Sequence, residues 1–526
     1  GGFDREGAAE ALRLSGAFEV QEGSFHFFGR EDCREMLARR PASAFPEGCY
    51  GNNPAAPYGL LLLPRGRDEA DHEEHCPLFC EAGRSATWRL GNGEAVVLLG
   101  LTPPECADFA FVGYLFSRFH AQGWLPGGPP GEEPAACPPG PARCELFAAV
   151  AGPVGAERLE PHRRFAAPFA LVLTASRAAA AAAREELRRA GVPDADVHEL
   201  PLPGQELALG LAAGADVLTV LLRMAFVADG EALAAYLREK PFRVLRLALR
   251  EPAEDLATDL FPRAALSAAA GGGGAPRGEI SLSEASQELA ALQHAVIAEA
   301  GRELGFDYRI HVTELSPWLP DSGFGCIARS RPCRADWPGV LQLESHALAA
   351  GERECERLEQ NLRLRGSCRT VHRAKLPLED TDFMVVLGVN YKALGIAKHV
   401  TLSVYNLLTL EGTKALEEPE LNGTALLYAD PRRASRARYL YAYKFMRRCP
   451  TSGRRARSCY SVPASGPGAV PLGAPLHFAA WAFGAGSLGG LPRPRVVHFA
   501  AAGDSSQRKG ARAAEGAQEA ASKLEM

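Results

Sequence analysis

The chain has 526 residues, 47% of them hydrophobic, which is enough for roughly two to four domains with sizeable cores. A net charge of -5 and a pI near 6.3 argue against a general nucleic-acid-binding protein, because such proteins neutralise phosphates with a basic surface. No apolar run is long enough to span a membrane, since Asp216 and Arg223 interrupt the best candidate at residues 206–226. The sequence begins at Gly1 and leaves open whether a targeting segment was removed.

Residues 1–145 carry the pattern of a β-rich domain. Apolar runs at residues 94–101 and 109–116 predict strands, and Pro, Gly and Asn residues between the runs predict turns. Residues 124–143 are dense in Pro and Gly, so they form a natural linker into the next region.

Residues 146–265 alternate between apolar runs and helical patterns. The first helix is predicted from alanines at 178–183, and with Leu187 as its one large apolar residue it must pack closely on a sheet. Asp229 is placed to cap the second helix. The order of elements predicts a ferredoxin-like βαββαβ unit. They are expected at residues 168–174, 177–190, 197–202, 217–226, 231–240 and 242–249.

The central strands of this unit bear on its function. An RNA-recognition platform needs exposed aromatic side chains there. Residues 168–174 and 217–226 offer mainly aliphatic side chains instead. We therefore expect a packing or interaction module and no sequence-specific nucleic-acid partner.

The C-terminal part opens with one long helix, predicted at residues 281–304 after a Gly-rich linker at 266–280. β-rich sequence continues to residue 484, and residues 485–526 have the composition of a low-complexity tail. The chain is thus predicted to be α+β, with β-rich domains at 1–145 and 281–484 flanking the ferredoxin-like unit.

Two segments of these β-rich domains resemble each other. Residues 94–100 and 109–114 form an apolar strand, a glycine, a polar loop and a second strand with a late tyrosine. Residues 382–388 and 399–405 repeat that arrangement. The likeness predicts two related β-hairpins in domains that pack together, with duplication and coincidence both open.

Five short motifs carry a resemblance to a known family. They are residues 53–59 (Asn-Pro-Ala-Ala-Pro-Tyr-Gly), 100–104 (Gly-Leu-Thr-Pro-Pro), 114–118, 172–176 and 388–391 (Gly-Val-Asn-Tyr). Over most of residues 50–450 the chain resembles a family of bacterial, fungal and algal multidomain proteins with Gly-x-Thr-Pro-Pro and Gly-Val-Asn motifs. The family has no known activity, so the resemblance implies none. Its members carry Asn-His after Gly-Val where this chain has Asn390-Tyr391, so a histidine acting there would be missing.

Cysteine spacing bears on the compartment. The chain has 13 cysteines, several of them closely paired in loop-like sequence, which favours disulfides and an oxidising compartment. Asn422 begins an N-glycosylation sequon that points to a secreted or lumenal glycoprotein. The alternative is a cytoplasmic protein with buried thiols, and an odd count leaves at least one thiol free. The candidate disulfide cysteines are Cys76, Cys80, Cys137, Cys144, Cys326, Cys333, Cys449 and Cys459.

The densest set of possible metal ligands lies at residues 71–80. A zinc ion needs four such side chains in a tetrahedron. His72, His75, Cys76 and Cys80 supply the ligand types, but the two histidines are only three residues apart and no second cluster matches them. A solvated acidic loop closed by a small disulfide is the favoured interpretation.

A ligand-binding cleft between the two β-rich domains is the other candidate site. The Gly-x-Thr-Pro-Pro and Gly-Val-Asn-Tyr loops would line it with polar groups. The alternative is that Pro-Pro and Asn only form turns. The candidate residues are Tyr58, Thr102, Arg118, Asn390 and His399.

Residues 432–457 form a basic region with Tyr439, Tyr441 and Tyr443 alternating inside it. Such a region binds a polyanion or is solvated beside compensating acidic residues, which is the commoner case. No cofactor fingerprint is evident. Together these features predict a secreted or lumenal protein that binds an extracellular ligand or polysaccharide or has a structural role. The alternative is a hydrolase-type enzyme with its active site between the β-rich domains.

Overall fold

The fold is described from a computed structural model of the chain. It describes residues 2–39, 58–70, 78–121, 141–155, 165–251, 259–262, 279–304, 308–317, 327, 340–345, 376–406, 411–466, 468–472, 474–483 and 491–501. The predicted Gly-rich linker lies almost wholly outside these residues.

The strands fall into an N-terminal half, residues 2–262, and a C-terminal half, residues 279–501. In the N-terminal half they are β1 (Phe18–Glu22), β2 (Ser24–Phe28), β3 (Tyr58–Pro64), β4 (Cys80–Glu81), β5 (Arg84–Ser85), β6 (Glu94–Leu101), β7 (Cys106–His120), β8 (Ala142–Ala149), β9 (Val154–Gly155), β10 (Pro168–Thr174), β11 (Val197–Pro201), β12 (Val217–Val227) and β13 (Phe242–Leu249).

In the C-terminal half the described strands are β14 (Tyr308–Glu314), β15 (Ser316–Pro317), β16 (Val340–Glu344), β17 (Leu376–Pro377), β18 (Phe383–Val389), β19 (His399–Asn406), β20 (Gly412–Glu417), β21 (Leu440–Met446), β22 (Cys459–Ser461), β23 (Pro475–Phe483) and β24 (Arg495–Ala501). The described helices are α1 (Arg5–Leu14), α2 (Arg30–Arg39), α3 (Arg177–Arg189), α4 (Gly230–Glu239), α5 (Leu282–Leu304), α6 (Glu418–Leu421) and α7 (Ala434–Ala437). Short 3₁₀ turns cover Asp194–Asp196, Thr424–Leu427, Pro431–Arg433 and Arg454–Ser458.

Each half contains two sheets. In the N-terminal half, sheet A has the strand order β1-β13-β6-β10-β11, and sheet B has β4-β5-β3-β12-β7-β8, with β2 on β3 and β9 on β7. In the C-terminal half, sheet C has β15-β16-β23-β19-β20, with β17 on β23, and sheet D has β14-β24-β18-β21-β22. The protein is therefore α+β, with sheets dominating.

The sheets are stacked in layers. Helices α1 and α3 cover the outer face of sheet A, and the inner face of sheet A packs on sheet B. Sheets C and D share a core with α5. Sheet B meets sheet C through Phe483, which joins the core of sheet B, and through Val340 and Trp481, which pack against it. The two halves thus meet through their inner sheets, B and C.

Local signals placed several elements well. Strands β10 and β13 have the predicted bounds, and α5 differs from its prediction by one residue. Asp229 caps α4 by accepting hydrogen bonds from the amides of Glu231 and Ala232, at 2.9 and 3.0 Å. Helix α3 packs on sheet A mainly through buried alanines and Leu187, as its composition requires.

The pairing of these elements differs from a ferredoxin-like unit. In that unit the four strands share one sheet. Here β6 lies between β10 and β13 in sheet A, and β12 pairs with β7 and β3 in sheet B. The predicted domain boundary after residue 145 falls inside β8, so the N-terminal region and the central unit form one set of sheets.

The prediction of a low-complexity tail at residues 485–526 is wrong for part of that segment. Their segment Arg495–Ala501 forms β24, which pairs with both β14 and β18 in sheet D. Val496, Val497 and Phe499 from this strand are buried in the core. The strand has only five apolar residues, and the composition of residues 485–526 as a whole is polar, so composition alone does not indicate this strand.

The two halves repeat one topology. Strands β1, β2, β3, β6, β7, β8, β10, β11, β12 and β13 correspond in chain order to β14, β15, β16, β18, β19, β20, β21, β22, β23 and β24. Corresponding strands occupy corresponding places, and in both outer sheets the last two strands of the order (β10/β11 and β21/β22) are parallel. This agreement indicates an internal repeat. The likeness between residues 94–114 and 382–405 belongs to it, although β6 and β7, and likewise β18 and β19, lie in different sheets and form no hairpin.

The middle strand of each outer sheet has a glycine as its last residue but one, Gly100 in β6 and Gly388 in β18, for the same steric reason. A Cβ on Gly100 would lie 2.3 Å from a ring carbon of Phe242, and one on Gly388 would lie 2.2 Å from the hydroxyl of Tyr441. Each glycine therefore admits an aromatic ring from a neighbouring strand.

A buried acid–base pair also recurs. Glu94 at the start of β6 accepts hydrogen bonds from Arg246 on β13, at 2.7 and 3.1 Å. In sheet D, Asp382 just before β18 lies 3.6 Å from the Nε2 of His498 on β24. Arg246 is opposite Val96 and His498 is opposite Met384, two residues after the acid in both sheets.

We predict that Gly100→Ala and Gly388→Ala each lower the free energy of unfolding by about 1–3 kcal/mol, because the added methyl group displaces a packed aromatic ring. Urea unfolding of the purified variants measures the loss. Gly16→Ala is the control, since a Cβ there meets nothing within 4 Å. Equal effects at all three positions would contradict the steric explanation.

Candidate binding site between the inner sheets

The face of sheet C that is directed at sheet B is polar. Strand β19 alternates: Val400, Leu402 and Val404 enter the core shared with sheet D, which leaves His399, Thr401, Ser403 and Tyr405 on the opposite face. Strand β23 continues that face with His477 opposite Tyr405 and Trp481 opposite Thr401. All four side chains of β19 on this face are buried.

The facing surface of sheet B is mainly apolar. Leu60, Leu62, Val112, Phe116 and Leu221 form its core. Among them lie a few polar side chains, Tyr58, Tyr114, Thr219 and Arg223, of which the last three are buried. Equivalent surfaces of the repeat therefore differ in chemistry, one apolar and one polar.

A histidine–carboxylate pair lies at one end of the polar face. The Nε2 of His477 is 2.8 Å from an oxygen of Glu344 on β16, and both side chains are only 4% exposed. Gln342 donates a hydrogen bond to the same carboxylate. Glu344 is thereby held by side chains from two neighbouring strands.

Side chains of the N-terminal half complete this end of the site. The guanidinium of Arg223 lies 5.4 Å from the ring centre of Tyr58 and 5.7 Å from that of Tyr114. Burial raises the pKa of Tyr405, and the nearby Tyr58 and Glu344 raise it further. Hydrogen bonds of the Tyr405 hydroxyl with Ser403 and Trp481 act in the opposite direction. Tyr58 and Tyr405 therefore lie close together across the boundary between the halves, and Tyr405 stays protonated.

The hydroxyl groups of Thr219 on β12 and of Ser403 and Tyr405 on β19 are buried, and each side chain is at most 1% exposed. Ser403 and Trp481 act as hydrogen-bond partners of the Tyr405 hydroxyl. Within the part of the chain that the structure describes, the Thr219 hydroxyl has no hydrogen-bond partner. Burying a hydroxyl without a partner costs about 1–3 kcal/mol.

A second histidine–carboxylate pair lies at the other end of the polar face. His399 Nε2 contacts a carboxylate oxygen of Glu417 on β20, and the Thr401 hydroxyl donates to that oxygen at 2.9 Å. The ring of Phe226, from β12, stacks on His399 with centres 5.6 Å apart. Phe226 has a φ of 45°, an uncommon conformation for a residue with a side chain. Tyr405 lies six positions after His399 along β19, which is about 20 Å.

The structure brings together only part of the predicted cleft. Tyr58 and His399 lie between sheets B and C, at opposite ends of the polar face. Thr102 and Asn390 follow the equivalent strands β6 and β18 of the two outer sheets, with the inner sheets between them. Arg118 is paired with Asp216 at 2.6 Å.

Asn390 holds a turn, as the alternative interpretation of its loop proposed, because it accepts a hydrogen bond from the amide of Ala393 at 3.1 Å. Thr102 instead extends the pairing of β6 with β10, because it accepts a hydrogen bond from the amide of Ala167, just before β10, at 3.0 Å. Their two loops carry the chain from the outer to the inner sheet of each half.

The predicted metal site loses one of its ligands. Cys80 is disulfide-bonded, so it offers no thiolate to a metal. His72, His75 and Cys76 lie outside the described residues. Within the described residues, no group of three or more His, Cys, Asp or Glu side chains has a metal-binding arrangement.

The predicted disulfides are confirmed at one pair. Cys449 is bonded to Cys459, as expected. Cys80 and Cys144 are disulfide-bonded, and so is Cys33, which the sequence did not single out. The candidates Cys76, Cys137, Cys326 and Cys333 lie outside the described residues. Cys106 is a buried free thiol.

The basic region is compensated by helix α5. Glu288 pairs with Arg433 and Arg436, each at 3.2 Å, and Glu299 pairs with Arg455. These contacts agree with the solvated, neutralised interpretation of the region and leave the polyanion partner without support.

The sequon lies at the end of α6. Asn422 is exposed, and the buried hydroxyl of Thr424 donates to the Leu421 carbonyl at 2.7 Å. Glycosylation at Asn422 stays a prediction.

Sequence reasoning missed Glu344, His477 and Ser403. Glu344 and His477 are 133 residues apart, so only the pairing of β16 with β23 brings them together. One signal was present: the alternation His-x-Thr-x-Ser-x-Tyr at residues 399–405 marks a strand with one polar face.

Comparisons with known proteins add little to this description. No protein-family model and no curated protein matches the chain. Among solved structures, the chain is similar to an uncharacterised protein from Burkholderia cenocepacia, with 13% identity and a TM-score of 0.34 over 94% of this chain and 86% of the other. It is also similar to the VPA0106 protein from Vibrio parahaemolyticus, with 8% identity and a TM-score of 0.33 over 89% and 95%. Likenesses this weak carry no argument about function. Across the described residues, no helix is long and apolar enough to cross a membrane.

We predict that iodoacetamide leaves Cys106 unlabelled in the native protein at pH 8 and labels it after unfolding. Burial raises the pKa of this thiol to about 12, and the thiolate is the reactive form. Peptide mass spectrometry without reduction measures the labelling, and the linked Cys449–Cys459 peptides serve as the internal control. Native labelling at the rate of a small free thiol would contradict the prediction.

Proposed function

We propose that the protein binds a small ligand between its two halves, at a site we call the inter-sheet cluster. The cluster comprises Tyr58 and Arg223 from sheet B and Glu344, Ser403, Tyr405 and His477 from sheet C. The observation that carries the proposal is the buried pair of Glu344 and His477 beside Tyr405, with Tyr58 and Arg223 of the other half nearby, because burying a carboxylate is costly for folding alone. Small-molecule sites commonly combine apolar walls with a few polar groups, and they often lie between domains.

Enclosure favours a small molecule over a polysaccharide. All members of the cluster except Tyr58 are at most 4% exposed. A polymer needs an open groove through which its chain can pass, whereas an enclosed site suits a ligand that the surrounding protein covers.

We also propose that the protein works in a secretory compartment. The support is its cysteine chemistry, since disulfides persist in oxidising environments. The sequon at Asn422 is consistent with that location. The resemblance to bacterial, fungal and algal proteins supplies no activity to add.

A hydrolase is the second candidate. The observation in its favour is the pair of buried histidine–carboxylate contacts, His477 with Glu344 and His399 with Glu417. In many hydrolases the general base is an imidazole that a carboxylate holds in position. Thr401 already donates its hydroxyl to Glu417, so it is not poised as a nucleophile activated by His399. Binding is therefore the better-supported function.

We predict that a ligand found in a thermal-shift panel of sugars, carboxylic acids and nucleosides stabilises the wild type but not Glu344→Gln. That change removes the charge that holds His477 in place. Isothermal titration calorimetry on both proteins gives the affinities, and ester and glycoside turnover in the same samples tests the hydrolase.

Glu411→Gln is the matched control. Glu411 also joins the two halves, through hydrogen bonds to Arg34 at 2.7 and 3.0 Å, but it is not a member of the cluster. Equal loss of binding in Glu411→Gln and Glu344→Gln would place the ligand elsewhere. Turnover that disappears in Glu344→Gln or Glu417→Gln would favour the hydrolase.

A further inference from the structure

The connection between β21 and β22 differs from its counterpart in the N-terminal half. There, α3 joins the equivalent parallel strands β10 and β11. Between β21 and β22 the chain instead forms a loop that the disulfide Cys449–Cys459 closes, and we call residues 449–459 the disulfide loop. Its residues 450–455 are all exposed. The two strands are thus joined by the disulfide as well as by the chain of the loop.

The disulfide loop presents a row of arginines. Arg454, Arg455 and Arg457 are exposed, and they come directly before Ser458. Arg455 is paired with Glu299 on α5. Across the described residues, neither Arg454 nor Arg457 takes part in an ion pair or a side-chain hydrogen bond. Two cations with the spacing Arg-x-x-Arg are therefore available to another protein.

The same spacing occurs twice more among the described residues, but there the arginines are occupied. Residues 243–246 lie within β13, and Arg246 is buried at 1% exposure. Arg433 and Arg436 both pair with Glu288, each at 3.2 Å. Within the described part of the chain, the disulfide loop is thus the Arg-x-x-Arg segment whose two arginines are both exposed and unpaired.

We infer that the disulfide loop is a processing site, at which an arginine-specific endoprotease of the secretory pathway hydrolyses the bond between Arg457 and Ser458. Carboxylates in the substrate cleft of such a protease bind arginine side chains. Water is the second reactant: its hydroxyl adds to the Arg457 carbonyl carbon, the C–N bond breaks, and Ser458 leaves with a free amino group. The inference rests on the proposed secretory location, because the protease works there.

The conformation of the loop favours a substrate over a protease inhibitor. Inhibitory loops gain affinity because they are rigid in the extended conformation that the protease binds. Arg454–Ser458 is instead a 3₁₀ turn, and the Ser458 side chain is buried. The turn must therefore open before hydrolysis. Opening disrupts little packing, since most of the loop is exposed and loop tips are common sites of proteolysis.

Hydrolysis at this bond would leave one molecule with two chains. Cys459 is the only cysteine after the bond, and it is linked to Cys449 on the other side. The C-terminal piece also carries β22, β23 and β24, which pair with strands of the N-terminal piece. The product is therefore a disulfide-linked protein, and no peptide is released.

Digestion of the folded, full-length protein with furin, a secretory endoprotease that recognises arginine at both positions, tests the site. A reducing gel should show pieces 1–457 and 458–526, and Edman sequencing should find Ser458 at the new amino terminus. A non-reducing gel should show one band. Arg454→Gln and Arg457→Gln should each slow hydrolysis at least about tenfold, because each removes a charged contact with the protease. Their melting temperatures should equal that of the wild type.

Arg433→Gln is the matched control, since it changes the occupied Arg-x-x-Arg segment and should leave the rate unchanged. Glu299→Gln should raise the rate about two- to fivefold, because it frees Arg455 and so loosens the turn. Hydrolysis that starts after Arg436, or a stable furin complex without hydrolysis, would overturn the inference. So would a folded protein that resists furin while the unfolded chain is cut after Arg457.

Protein secreted by cultured cells tests processing and location separately. The two-chain form should be present, and a convertase inhibitor added to the cells should abolish it. A secreted, disulfide-bonded chain that stays uncut would overturn the inference and leave the proposed location intact. Protein recovered from the cytoplasm with reduced cysteines would overturn the proposed location and the inference with it.

Discussion

The structure depends on the contact between sheets B and C. Sheet B is apolar on both faces, one packed on sheet A and the other directed at the second half. Phe483 of the C-terminal half belongs to the same core as Leu60, Leu62 and Leu221, and Val340 and Trp481 pack against it. Burial of that surface holds the two halves together, and it also encloses the polar residues of sheet C. One contact thus creates both the stability and the candidate site.

Local sequence signals predict where several helices and strands begin and end, but not which strands pair with each other. Cap residues, alanine runs and apolar periods placed α3, α4, β10 and β13 almost to the residue. The ferredoxin-like arrangement failed at β12, whose continuous apolar sequence indicates a strand covered on both faces. Two sheets packed face to face cover such a strand as fully as helices do, so the sequence of β12 does not show in which sheet it lies. The equivalent strand of the repeat, β23, likewise lies in an inner sheet.

The same limit explains which site residues were found. Tyr58 and His399 lie beside turn motifs, where a polar residue is a local signal for a site, and both lie between the inner sheets. Thr102 and Asn390 carry a similar signal, but they follow the middle strands of the outer sheets, where Thr102 bonds to Ala167 and Asn390 holds a turn. Glu344 and His477 have no local signature, because their meaning arises from strand pairing across 133 residues. The alternating polar residues of β19 are the one local pattern that marks the face of sheet C directed at sheet B.

The internal repeat has a consequence for how such a site can arise. Two separate copies of one half, associated as a symmetric homodimer, would present identical surfaces to each other, so every polar residue would meet its own counterpart across the axis. Joining both copies in one chain removes that requirement. Sheet B presents a mainly apolar surface to the other half, whereas sheet C presents His399, Ser403, Tyr405 and His477. The covalent link between the halves is therefore what allows this protein an asymmetric interior.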